Sequence, residues 1–129
     1  MNWSAVSPFG VVCATPTGST AYAFSAGGPV VWPAVEALLL VPISAHALFS
    51  RPIVVAPTST MTVDVVPDGI PAVMSSDGRR TVDLPPGSRV EVRRGVQPVH
   101  VVRLHPQPFT DRLVAKFGLP VAGWRGNGG

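Results

Sequence analysis

The sequence predicts a mainly β fold, an antiparallel sandwich or closed sheet, with short helices near the N-terminus and a helix near the C-terminal end. Three observations carry this expectation. Met61-Thr62-Val63-Asp64-Val65 and Arg89-Val90-Glu91-Val92-Arg93 alternate apolar and polar residues, as half-buried strands do. Turn clusters at Pro67-Asp68-Gly69, Ser76-Asp77-Gly78 and Pro85-Pro86-Gly87 separate short strand-like segments. Phe109, Leu113 and Phe117 recur at helical spacing and define one apolar face.

In chain order, Val11 to Ala14 form a short apolar run that reads as a buried strand. Pro16 disfavours helical geometry at Thr15 and so ends any helix there. Ser19 or Thr20 is the expected N-cap of a helix of about two turns, which Gly27-Gly28-Pro29 stops. A second short helix is expected over 33–39, with Pro33 in its first turn. Strands follow at Ile53–Val55, Met61–Val65, Ala72–Met74, Thr81–Leu84 and Arg89–Arg93, with a looser repeat of the pattern at Val99–Arg103. The last helix is expected to be capped by Thr110 and stopped by Gly118. Its apolar stripe requires a surface to bury against.

The stretch Thr15-Pro-Thr-Gly-Ser-Thr-Ala-Tyr-Ala-Phe-Ser-Ala-Gly-Gly-Pro29 concentrates small residues, hydroxyls and the only Tyr. Gly18 permits close backbone approach, and a helix start gathers N–H groups that attract electron-rich ligand atoms. Tyr22 and Ser25 are spaced to share a helical face, the ring for stacking on a flat base and the hydroxyl for hydrogen bonding beside it. Composition alone leaves two readings open, a structural strand-turn-helix and a ligand loop. No Lys follows Gly18, which excludes a Walker A loop, and no Gly-x-Ser-x-Gly elbow is present.

At 129 residues the chain holds one domain at most. Hydrophobic residues at 46% against 13% charged make it apolar, so a partner surface or a missing domain is expected. The longest purely apolar run, Ala37 to Val41, is far short of a membrane helix. The first residues lack the pattern of a signal peptide, and Cys13 is the one cysteine, which excludes internal disulfides. A cytoplasmic protein with a buried, unreactive Cys13 is expected. The net charge of +3 is scattered, with Arg pairs only at 79–80 and 93–94. That gives no nucleic-acid footprint.

The Thr15–Pro29 stretch resembles the signature loop of NAD kinases, which phosphorylate the 2′-hydroxyl of the adenosine ribose of NAD. The resemblance continues in family order through Trp32-Pro33, Glu36 to Ile43, Ala45-His46-Ala47-Leu48, Arg51-Pro52-Ile53-Val54 and Ser76-Asp77-Gly78-Arg79. Pro108 to Leu113 and Gly123-Trp124-Arg125-Gly126 are similar to actinobacterial members. It implies a C-terminal NAD-binding domain over 10–126, a divergent start at 1–9 and a tail at 127–129. Carried over, Tyr22 stacks on adenine. Thr20, Ala21, Ala23, Phe24 and Ser25 belong to the nucleotide-contacting stretch, with Thr17 and Gly18 at its rim. Asp77 sits in a turn that reaches the site, from a neighbouring subunit in an oligomer, and Arg79 stands where many members have Gln. Otherwise Asp77 is a plain turn residue. His46 reads as structural, no role falls to His100 or His105, and Arg51, Arg79 and Arg80 face either phosphate or solvent.

Two departures qualify the resemblance. The family's Gly-Gly-Asp-Gly-Thr motif, whose carboxylate activates the hydroxyl, and its Asn-Glu pair do not occur in this sequence. Phe9-Gly10 stands where the family has Asp-Gly. No carboxylate precedes Glu36, so the chain is expected to be inactive by itself, with no catalytic residue and no metal ligand of its own. The resemblance implies NAD and NADP as substrate and product, ATP or polyphosphate as donor, and Mg²⁺ for the full-length enzyme. It also implies a homo-oligomer or an absent N-terminal α/β domain. The alternatives are a non-catalytic NAD(P)-binding or assembly module that associates with a full-length kinase, and a structural β domain with a coincidental loop.

Overall fold

In a computed structural model, the described residues are 10–43, 51–102, 104 and 107–118. The central element is an antiparallel sheet of β1 (Gly10–Ala14), β2 (Leu38–Ile43) and β3 (Ile53–Val55), with β2 in the middle. Val12 sits opposite Val41 and Cys13 opposite Leu40, while Leu39 faces Val54 on the other side. A middle strand is covered along both edges, and the near-continuous apolar run of β2 suits that place. Leu39 and Val41 are fully buried, and Leu38 and Ala37 nearly so. Pro42 lies beyond the stretch paired with β3, so its missing N–H removes no bond to that neighbour.

The helix expected over 33–39 does not form. Residues Trp32 to Val35 make a turn, closed by the Val35 N–H donating to the Trp32 carbonyl at 3.0 Å, and the strand begins at Leu38. Burial between two strands overrides the modest helical preference of a Leu-rich run.

β4 (Met61–Asp64) pairs with β7 (Arg89–Val92), and the register puts Val63 opposite Val90 and Thr62 opposite Glu91. The alternation read in the sequence is the observed alternation of half-buried and exposed side chains. β5 (Ala72–Ser76) and β6 (Arg80–Leu84) form a hairpin. Its turn is closed by the Arg79 N–H donating to the Ser76 carbonyl at 3.1 Å. Asp77 there adopts a left-handed φ of 52°, which Asp tolerates better than most residues. The strand expected at Val99–Arg103 is absent over the described part of that range. Residues 99–102 pair with no strand, and Val99 and Val102 are almost fully exposed.

The C-terminal helix α2 runs Phe109–Phe117 and ends at Gly118 in the left-handed conformation, as expected. Its start differs by two residues from the expected Thr110 cap. Pro108, with its fixed φ, takes the boundary position, and its carbonyl accepts from Asp111 and Arg112. The anticipated stripe finds its surface. Phe109 meets Trp32 edge-on at 4.7 Å between centroids, and Phe117 meets Phe24 at 4.6 Å. The stretches holding His46, His105 and Trp124 lie outside the described residues.

Candidate functional site

The Thr15–Pro29 loop follows directly from β1, at one end of the buried sheet. Instead of one capped helix it forms a 3₁₀ turn at Thr17–Thr20, a break at Ala21, and a single α-turn, α1 (Tyr22–Ser25). Neither Ser19 nor Thr20 caps a helix with its side chain. The reason is local: Ser19 is fully buried, and its hydroxyl is engaged elsewhere. It accepts the Val31 N–H at 2.9 Å and donates to the Val31 carbonyl at 3.3 Å. With only four residues, α1 accumulates little of the dipole anticipated for a longer helix.

What the loop does present is an exposed aromatic ring. Ala23 is buried against the sheet side and anchors α1, which turns Tyr22 outward with 63% of its surface exposed. Gly27 and Gly28 then return the chain through backbone bonds to Phe24 and Ala23. Gly28 passes so close that a Cβ would sit 2.8 Å from the Ala23 carbonyl oxygen and 2.9 Å from Val41 Cγ2. Phe24 is partly committed to Phe117 of α2, whereas Ser25, Ala21 and Thr17 are exposed and Thr20 and Gly18 half-buried.

Between the 3₁₀ turn and α2 lies a groove of about 590 Å³. Thr17, Thr20 and Pro33 line it together with Phe109, Arg112, Leu113 and Lys116 of α2, and the apolar Val99 and Val101 complete the lining. Lys116 Nζ donates to Thr20 Oγ1 at 3.4 Å. The Arg112 guanidinium lies 5.3 Å from the Phe109 ring centroid, and its Nε is buried with no hydrogen-bond partner among the described residues. The sequence reading did not assign Arg112 or Lys116 to the site. Their i, i+4 spacing on an amphipathic helix was the available signal, and it became informative only once Trp32 and Phe24 fixed where α2 docks.

Asp77 and Arg79 sit on the exposed β5–β6 turn. Among the described residues, no hydrogen bond or ion pair ties either to the Tyr22 loop. Arg51 and Arg80 are exposed as well. Cys13, in the strand leading to the loop, is half-buried, and burial pushes its thiol above the ordinary value. No group of three His, Cys, Asp or Glu side chains comes together among the described residues.

The family model described as ATP-NAD kinase C-terminal domain matches residues 4–104. NAD kinase 2 of Streptomyces avermitilis is 72% identical over 117 residues, covering 91% of this chain and 39% of its own length. The NAD kinase of Thermobifida fusca is 65% identical over 117 residues, covering 91% of this chain and 36% of its own length. The chain thus spans well under half of these relatives. Among solved structures, yeast NADH kinase complexed with NADH superposes with a TM-score of 0.63 at 38% identity, over 70% of this chain and 26% of that one. An NAD kinase from Archaeoglobus fulgidus in complex with ATP gives 0.58 at 34% identity, over 67% of this chain and 32% of that one.

Proposed function

Because this chain belongs to the ATP-NAD kinase C-terminal domain family, we propose that it supplies the dinucleotide-binding part of an enzyme that phosphorylates NAD to NADP. The carrying observation is Tyr22, which is largely exposed on a turn held rigid from behind by Ala23 and by the Ser19–Val31 bonds. An exposed ring fixed in place is ready to stack on adenine, because little ordering remains to be done on binding. Thr20, Ala21 and Ser25 line the base and ribose, with Thr17 and Gly18 at the rim. Ala23 acts through its position, since its side chain is buried, and Phe24 through its contact with α2. Asp77 and Arg79 complete the pocket of a second copy in a homo-oligomer.

In the proposed reaction the ribose 2′-oxygen bonds to the terminal phosphorus of ATP or polyphosphate. The bridging P–O bond to the leaving phosphate breaks, and the hydroxyl proton goes to a base. Such a transfer needs a positioned base close to the hydroxyl. The Tyr22 loop carries no carboxylate, so the base comes from the part of the enzyme that this chain does not span. The proposed setting is the cytoplasm. Among the described residues, no helix is long and apolar enough to cross a membrane.

Calorimetric titration of NAD into the chain tests the reading. Saturable binding that Tyr22→Ala weakens supports it; no binding of NAD or NADP would sink it. Incubation with NAD and ATP should yield no NADP, and NADP formation abolished by Tyr22→Ala would refute the assignment of the base to another segment.

A second reading is favoured by a separate observation. Val96, Val99, Val102 and Leu104 each leave more than four-fifths of their surface exposed, at 97%, 89%, 86% and 86%. Such a run requires a cover. In this reading the chain is a non-catalytic NAD(P)-binding module that assembles with a full-length kinase, and co-purification with such a kinase distinguishes it.

A further inference from the structure

We propose that the groove between the 3₁₀ turn and α2 is a phosphate-binding subsite, in which Arg112 and Lys116 grip the pyrophosphate of the bound nucleotide. The proposal deepens the dinucleotide reading above and rests on it for the identity of the nucleotide. Four observations support it.

The two cations are one helical turn apart on α2 and line the same wall of the groove. Among the described residues no carboxylate lines the groove beside them, so nothing there offsets the two positive charges. Lys116 already donates to Thr20, a residue of the loop that carries Tyr22, so the cations and the aromatic platform share one wall-to-wall frame. Arg112 is held with its guanidinium carbon 5.3 Å from the Phe109 ring centroid, which fixes the guanidinium beside the groove it lines. The terminal N–H groups of a guanidinium held there are the donors that a phosphate in the groove can engage.

The volume also suits the assignment. About 590 Å³ is within the range of small-molecule pockets and admits a pyrophosphate with part of a ribose. Thr17 and Thr20 also line the groove, and their hydroxyls are available to donate to phosphate oxygens. Arg presents a planar fork that matches two phosphate oxygens, whereas Lys acts as a point charge, so the two side chains have separable roles.

The experiment titrates inorganic pyrophosphate, adenosine and NAD separately into the 129-residue chain and into Arg112→Gln, Arg112→Lys and Lys116→Gln, at low and high ionic strength. Pyrophosphate is expected to bind saturably and to weaken as salt rises. Each Gln variant should lose about tenfold or more in affinity for pyrophosphate and NAD, the scale of one charge-assisted hydrogen bond. Adenosine binding should stay unchanged in all of them, and Arg112→Lys should recover only part of the loss. Pyrophosphate that fails to bind, or that binds every variant alike, overturns the subsite. Equal weakening of adenosine and pyrophosphate also overturns it, since that outcome reports disruption of the loop. The failure of the underlying reading looks different: adenosine then does not bind, while pyrophosphate still does and still depends on Lys116. Circular dichroism checks the fold, and exposed Lys116 decides the question if Arg112→Gln does not fold.

Discussion

The Ser19 hydroxyl holds both backbone polar groups of Val31, accepting its N–H at 2.9 Å and donating to its carbonyl at 3.3 Å. One buried side chain thereby stands in for a strand partner and ties the start of the Tyr22 loop to the segment that leaves it. Ser19→Ala leaves the Val31 N–H and carbonyl without that partner. The expected cost is about 1–3 kcal/mol, the penalty for unsatisfied buried polar groups. Chemical denaturation measures it, and NAD affinity should fall together with stability because Tyr22 loses its rigid base. A variant as stable as the parent would show that water replaces the hydroxyl without loss.

The close approach of Gly28 gives a second prediction. A methyl group there would lie 2.8 Å from a backbone oxygen and 2.9 Å from a Val41 methyl, and the oxygen belongs to α1 itself. Neither neighbour is the free end of a flexible side chain. Gly28→Ala is expected to destabilise by about 1–3 kcal/mol through overpacking. It should also displace α1, so a near-ultraviolet circular dichroism change from Tyr22 and Trp32 is expected with the lower melting temperature.

Cys13 supplies a pH dependence. Burial holds its thiol above the ordinary value of 9.0. As pH rises, the thiol of the unfolded chain ionises first, and that ionisation favours unfolding. The stability contributed by the neutral buried thiol is fully present below 9.0 and is lost as pH climbs through the higher folded value. The parent should therefore lose stability above this point more steeply than Cys13→Ala. Alkylation by iodoacetamide should also be slower in the folded chain than in denaturant at the same pH.

The strands with alternating pattern, β4 and β7, were legible because period-2 hydrophobicity encodes a half-buried surface directly. Thr62 opposite Glu91 and Asp64 opposite Arg89 occupy the outward positions that the alternation assigns them. β2 was not legible as a strand. Leu38 to Leu40 carry no alternation, and a run apolar on both faces reads equally as a helix segment. Only its two strand partners decide the matter. The Tyr22 loop was located correctly as a strand-turn-helix, but its internal geometry was not. The sequence offers Ser19 as a cap, and nothing local reveals that Val31, a dozen residues on, competes for the hydroxyl. Likewise nothing local assigns Arg112 and Lys116 to the groove, because it is the Phe24–Phe117 and Trp32–Phe109 contacts that bring α2 against Thr20. The features hidden from the sequence are those created by contacts distant along the chain.

The two aromatic residues of α1 should separate stability from binding. Phe24 packs on Phe117 at 4.6 Å between ring centroids, so it secures α2 to the loop. Tyr22, two residues earlier, points to solvent with 63% of its surface free. Phe24→Ala removes the ring pair and should cost about 1 kcal/mol beyond the lost burial. It should also make α2 easier to cleave by limited proteolysis. Tyr22→Ala should leave the melting temperature nearly unchanged, because an exposed ring contributes little to folding. It should instead weaken NAD binding by about 1–3 kcal/mol, the scale of one base stacked on an aromatic ring, while Tyr22→Phe keeps the ring and most of the affinity. Thermal melts and titrations on the same preparations check both halves. If Tyr22→Ala destabilised the fold as much as Phe24→Ala did, Tyr22 would belong to the packing of the loop, and its role as a platform would be lost.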